Sequence, residues 1–129
     1  LEMNTDAASI ACYTDTTRAW MIGRLHARLP GSPEDGADTV GRFSAVVEQI
    51  SQVAAPDATA LLVAHGTVLR VWTALVAATA AGADPAWIAN HPMTNTAFSV
   101  VMGDHEHGWR LEDWAEGTWR AADPAGRQR

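Results

Sequence analysis

The stretch Thr59-Ala60-Leu61-Leu62-Val63-Ala64-His65-Gly66-Thr67 constrains the chain more than any other. Its first six residues carry no charge and are small or apolar. They read as a strand buried on both faces, as in the interior of a parallel sheet. A histidine and a glycine then lead into a helical pattern over about 67–81, ended by Ala81-Gly82. In open α/β sheets, ligands sit at the carboxyl ends of strands. Glycine there lets the backbone approach a ligand closely, and the free amides at a helix start favour an anion. His65 is thus a candidate to donate to a phosphate oxygen or to attack phosphorus. A satisfied histidine at a strand end is the plain structural alternative.

The surrounding pattern supplies more elements. Ile10, Tyr13, Thr17, Trp20, Met21, Leu25 and Leu29 recur at helical spacing, giving a helix over 5–28 with Asp6 as a candidate N-cap. The segment from Leu29 to Gly36, with two prolines and two glycines, is the strongest break. A second helix over about 37–54 carries the stripe Val40, Phe43, Val46, Val47 and Ile50, with Asp38 or Thr39 near its start. Asp84-Pro85 opens a short helix over about 84–90. A loop over 91–95 follows, then two strands, Thr96 to Met102 and Trp109 to Trp114, joined as a hairpin by residues 103–108. The order is that of a layered α/β domain. The sheet is incomplete, since only the run before His65 reads as a central parallel strand. A neighbouring parallel strand is expected from outside this chain.

Composition narrows the class. The 129 residues suffice for a single domain over 1–129, with the polar segment of about 120–129 expected to be a flexible tail. A formal net charge of -6 without a basic run speaks against a nucleic-acid partner. All nine cationic residues are arginines, which suits oxyanion contacts and equally reflects base composition. Cys12 is the lone cysteine, so no intrachain disulfide forms, and a reducing, cytoplasmic setting is expected. The most apolar stretch, Val68 to Ala81, is interrupted by Arg70, Thr73 and Thr79 and is too short to span a bilayer; no membrane association is expected. Asp104-His105-Glu106-His107 offers four ligand-type side chains in one turn, but no ligand pair elsewhere supports a metal site, and a solvated hairpin tip is the simpler reading. Most of the six tryptophans are expected in the core or its rim, with Trp109, Trp114 and Trp119 a candidate apolar interface.

Four pieces of the sequence, in order and at fitting intervals, resemble the histidine phosphatase superfamily, which includes the phosphoglycerate mutases. Leu62-Val63-Ala64-His65-Gly66-Thr67-Val68-Leu69-Arg70 is similar to its second histidine motif. Pro30 to Gly36 with Arg42 resembles its Pro-Gly-Gly-Glu-Ser segment and the arginine beyond it, although Ser32-Pro33 departs from that pattern. Asn95 to Val100 resembles the Asn-Thr strand, and Trp109 to Trp114 the final strand. The resemblance implies a three-layer phosphoglycerate mutase-like sandwich, with a mainly parallel sheet and helices on both faces. It also implies phosphomonoester chemistry through a phosphohistidine, without metal or cofactor. His65 would then be the second, phosphate-stabilising histidine, with Gly66 and Thr67 as backbone phosphate contacts. Glu34 and Asn95 would lie near the pocket; the alternative is a helix-capping or loop glutamate for the first and a structural loop asparagine for the second.

The family's nucleophile lies in an Arg-His-Gly motif, and none of the five histidines here follows an arginine. The acid and the second phosphate arginine also belong upstream in the family, and Leu1-Glu2-Met3 resembles the tail of a Gly-Asp-Trp-Glu-Gly segment, which makes Glu2 a neighbour of the acid. The chain is therefore expected to be the C-terminal portion of a histidine phosphatase domain, whose intact form acts on a small phosphorylated molecule. Phosphatase is favoured over mutase as the broader class. The alternative is a catalytically inactive truncated domain that binds a partner, forms a homodimer, or is complemented by a missing N-terminal half.

Overall fold

The computed structural model describes residues 7–121. Asp6, read as a cap, and Glu2, read as an acid's neighbour, lie outside the described residues, as do residues 122–129 of the tail expected over about 120–129; at its start Arg120 pairs in a strand and Ala121 is buried. Helix α1 runs Ala7–Met21. It stops well before residue 28 because Gly23 takes a left-handed conformation at φ 98°. The Arg24 N–H then reaches Ala19 O at 2.8 Å, and the Gly23 N–H reaches Trp20 O at 3.0 Å. This pair of bonds closes a helix end around a glycine. The apolar spacing that continues to Leu25 and Leu29 belongs to a loop. That loop is held by the Trp20 Nε1–H bond to Ala27 O at 2.6 Å and the Gly36 N–H bond to Leu25 O at 2.7 Å.

Helix α2 is Gly36–Val53. Asp35 and Asp38 form a reciprocal capping box, with the Asp38 N–H on Asp35 Oδ1 at 3.1 Å and the Asp35 N–H on Asp38 Oδ2 at 3.0 Å. Asp35 is buried and also meets His26 Nδ1 at 3.0 Å, so the preceding loop is pinned to the helix start. Hydrogen bonds from His26 and the Asp38 amide, with Arg28 nearby, hold its carboxyl at about 2, well below the ordinary range. Glycine is required at position 36, since a Cβ there would sit 2.5 Å from Trp20 Cγ.

The helix expected over 67–81 forms in three parts. Helix α3, Gly66–Trp72, passes into a π-helical turn, Thr73–Ala77, and then a 3₁₀ turn, Thr79–Ala81. The Ala78 N–H bonds Thr73 O at 2.8 Å, five residues back, which is the signature of the wider turn. Gly82 ends the run at φ 81°. Helix α4, Pro85–Asn90, starts as its sequence indicates, with the Asp84 carboxylate accepting from the Ala86 N–H at 3.0 Å.

Strands β1 (Val100–Asp104), β2 (Gly108–Trp114) and β3 (Trp119–Arg120) form an antiparallel sheet in that order. The first strand starts four residues later than expected, after a turn in which Thr96 sits at φ 68°. The two-residue β3 is short and has no sequence signature. The core collects Trp20, Met21, Val71, Trp72, Ala74, Ala77, Ile88, Leu111 and Trp114 between the helices and the inner face of β2. Trp72, within this core, has its ring centroid 5.5 Å from that of Phe43 and 6.3 Å from that of Trp109.

The described residues thus combine helices with a small sheet, consistent with an α/β chain. The sheet is antiparallel where the resemblance implies a mainly parallel one. Residues 59–64, the expected parallel strand, join no ladder and make no backbone hydrogen bond among the described residues. A parallel strand needs a neighbour to bond, and β1 to β3 satisfy one another through short connections. Residues 61–64 still alternate: Leu62 and Ala64 are half-buried, while Leu61 and Val63 are 86% and 89% exposed.

Candidate active site

His65 is the N-cap of α3, with extended backbone at φ -95°, ψ 151°, and Leu69 N–H bonds its carbonyl at 3.2 Å. The first amides of a helix have no acceptor within it, so those of Gly66, Thr67 and Val68 are available to a ligand. The His65 ring is exposed, makes no capping bond and has no hydrogen-bond partner among the described residues. A Cβ at Gly66 would meet nothing within 4 Å, so the space over this turn is open. An exposed imidazole, an open glycine and unused amides in three successive residues can together receive a tetrahedral oxyanion.

Thr67 is tied to α1. The Tyr13 hydroxyl donates to Thr67 Oγ1 at 2.7 Å. The sequence places Tyr13 in an apolar stripe, but the side chain is 39% exposed and uses its polar tip. Below this contact, Arg70 donates from Nη1 to Ala89 O at 3.3 Å, and Arg18 donates from Nη2 to Asn90 Oδ1. Burial lowers the Arg70 pKa from its ordinary value, and the charge of Arg18 acts in the same direction. Neither arginine pairs with a carboxylate among the described residues. These two cations and Tyr13 are what sequence reasoning missed; their partners are 54 and 72 residues apart for Tyr13 and Arg18, beyond any local pattern.

Glu34 and Asn95 are not joined to His65 by any hydrogen bond or ion pair among the described residues. Glu34 accepts from Arg42 Nη1, linking the loop to α2. Asn95 is exposed in the turn before β1, where its carbonyl accepts from Thr96 Oγ1. A cavity of about 310 Å³ opens elsewhere, between the end of α1, the π-helical turn and the start of α4, with Met21, Ile22, Leu75, Thr79 and Asp84 in its lining.

Hydrogen bonds to Asp104 organise the hairpin tip. Asp104 Oδ1 accepts from the amides of Glu106 and His107 at 2.9 and 2.7 Å, and His107 Nδ1 lies 2.9 Å away. The His107 contact lowers the Asp104 pKa and raises its own. His105 leaves the tip to meet Ser51 Oγ at 3.2 Å through both Nδ1 and its amide, docking the hairpin on the last turn of α2. Among the described residues, no three His, Cys, Asp or Glu side chains gather to hold a metal ion, and no helix is long and apolar enough to cross a membrane.

No curated protein and no solved structure matches the chain. The family model described as histidine phosphatase superfamily (branch 1) matches residues 1–117. That span contains every one of the four sequence pieces and the turn that presents His65. The chain belongs to the histidine phosphatase superfamily, branch 1.

Proposed function

We propose that the intact protein hydrolyses a small phosphomonoester through a phosphohistidine, and that this chain contributes the second histidine, His65. Its neutral or protonated ring donates to an oxygen of the transferring phosphoryl group, while the Gly66 and Thr67 amides hold the same group. The nucleophilic histidine and the acid come from a segment other than residues 1–129, so the chain binds phosphate without completing turnover. The observation that carries the reading is the exposed, unpartnered His65 ring at the start of α3, in a chain of this superfamily. Glu34 and Asn95 keep a place at the pocket rim, and neither metal nor organic cofactor takes part. A cytoplasmic setting fits the single cysteine.

The test is turnover of a generic aryl phosphate by the intact protein. Replacing His65→Ala should lower kcat by about a hundredfold or more, the usual loss when one preorganised oxyanion donor is removed. Activity within twofold of the wild type would remove His65 from the site.

A second reading has its own observation. Leu61 and Val63 are almost fully exposed on a run that pairs with nothing described. An inactive domain that self-associates or binds a partner through this edge would cover them. A dimeric mass in sedimentation, lost in Leu61→Ser/Val63→Ser, together with no turnover by the intact protein, would favour it.

A further inference from the structure

We propose that Tyr13 is a positioning residue for the phosphate turn: its hydroxyl holds Thr67 so that the Thr67 O–H donates to an oxygen of the bound anion. The inference rests on the reading of His65-Gly66-Thr67 as the phosphate site and adds to it a side-chain donor and the helix that aims it.

A threonine hydroxyl has one hydrogen and two lone pairs. Tyr13 donates into Thr67 Oγ1 at 2.7 Å, so one lone pair is used while the threonine's own hydrogen has no acceptor among the described residues. Donation into an oxygen polarises its O–H and makes it a better donor. Threonine is stiff at χ1, so one bond to Oγ1 fixes the direction of that group. Thr67 is two residues from His65, on the same opening turn.

Burial does not require the contact. Tyr13 is more than one-third exposed, and water could satisfy both hydroxyls. An exposed neutral hydrogen bond adds little to folding, so its value lies in orientation. The surroundings suit an anion. Arg18 and Arg70 lie on the same two helices as Tyr13 and Thr67, with neutral oxygens as their hydrogen-bond partners, in a chain of net charge -6.

The probe is inorganic phosphate, titrated into the purified 129-residue chain at low salt by calorimetry. Relative to wild type, Tyr13→Phe and Thr67→Val should each weaken binding by about three- to tenfold, the worth of one hydrogen bond. The double variant should bind no more weakly than Thr67→Val alone, Thr67→Ser should restore most of the affinity, and urea midpoints should stay near wild type. Wild-type affinity in Tyr13→Phe beside a loss in Thr67→Val overturns the inference and leaves the phosphate site standing. So do additive losses, or a lower urea midpoint in Tyr13→Phe with affinity unchanged. No phosphate binding by the wild type, or binding that His65→Ala leaves intact, overturns both readings.

Discussion

Two apolar stretches lie only a few residues apart and meet opposite fates. From Val71 to Ala78 most residues are buried, and β2 packs its inner face, with Leu111 and Trp114 wholly buried, against the same core. The run from Thr59 to Ala64 is as apolar in sequence, yet Leu61 and Val63 face solvent and its backbone pairs with none of the described residues. Hydrophobicity alone does not separate them. A helix satisfies its own backbone wherever it forms, so it needs a partner only for side chains. A strand needs a neighbour for its hydrogen bonds before its side chains gain from burial. The helical stretch finds cover within the chain; the other has no pairing partner among the described residues.

The sharpest way to break this contrast is Trp114→Ala. The ring is fully buried and its Nε1–H bonds His91 O at 2.8 Å, so the substitution should cost about 3–5 kcal/mol by urea unfolding. A loss below about 1 kcal/mol would mean that β2 is no more committed to the core than residues 59–64. Next comes Gly103→Ala, at φ 142° opposite β2, where a Cβ would lie 2.0 Å from Gly108 O. The hairpin should lose about 1–3 kcal/mol, read as a lower Tm.

An electrostatic effect follows on the packed side. The Asp35 carboxyl is held at about 2 by His26 and the Asp38 amide. A depressed carboxyl stabilises the fold above its ordinary range and loses that contribution as pH falls through the folded value. Urea midpoints should therefore drop from about pH 4 toward pH 2, and Asp35→Asn should flatten the drop. An unchanged slope would detach Asp35 from folding. The smallest expected effect lies in the exposed run: Leu61→Ser and Val63→Ser should each change stability by less than about 0.5 kcal/mol, while Leu62→Ser, partly packed on the core, should cost more than about 1 kcal/mol. Equal costs at all three positions would show that the outer face is covered in solution.

What the sequence made legible was local. The turn at His65-Gly66, the Asp84-Pro85 helix start and the hairpin depend on residues a few positions apart, and the structure has each of them. The end of α1 was misplaced because Leu25 and Leu29 keep helical spacing past Gly23, whose left-handed backbone ends the helix whatever follows. The hairpin tip is solvent-exposed, as its sequence indicates, but the contact of His105 with Ser51 spans 54 residues and has no local signal. Tyr13 falls in an apolar stripe by spacing, and nothing near it in sequence announces Thr67. The candidate site was visible as one turn of chain; the side chains that flank it were fixed by packing between helices.

The π-helical turn at Thr73–Ala77 has a consequence for how the gene can change. A wide turn is one residue more than an α-helix needs over the same rise, and one residue is about 100° of rotation. The wide turn at Thr73–Ala77 absorbs that extra residue, so deleting one position there would return the segment to an ordinary α-helical turn and leave α4 in nearly the same orientation to α3. Adding a residue, or removing two, exceeds what one turn absorbs and would rotate α4 and everything after it about the axis of α3. The angle between the His65 end and the Trp114 core is therefore buffered against the loss of one residue, and against no larger change in length.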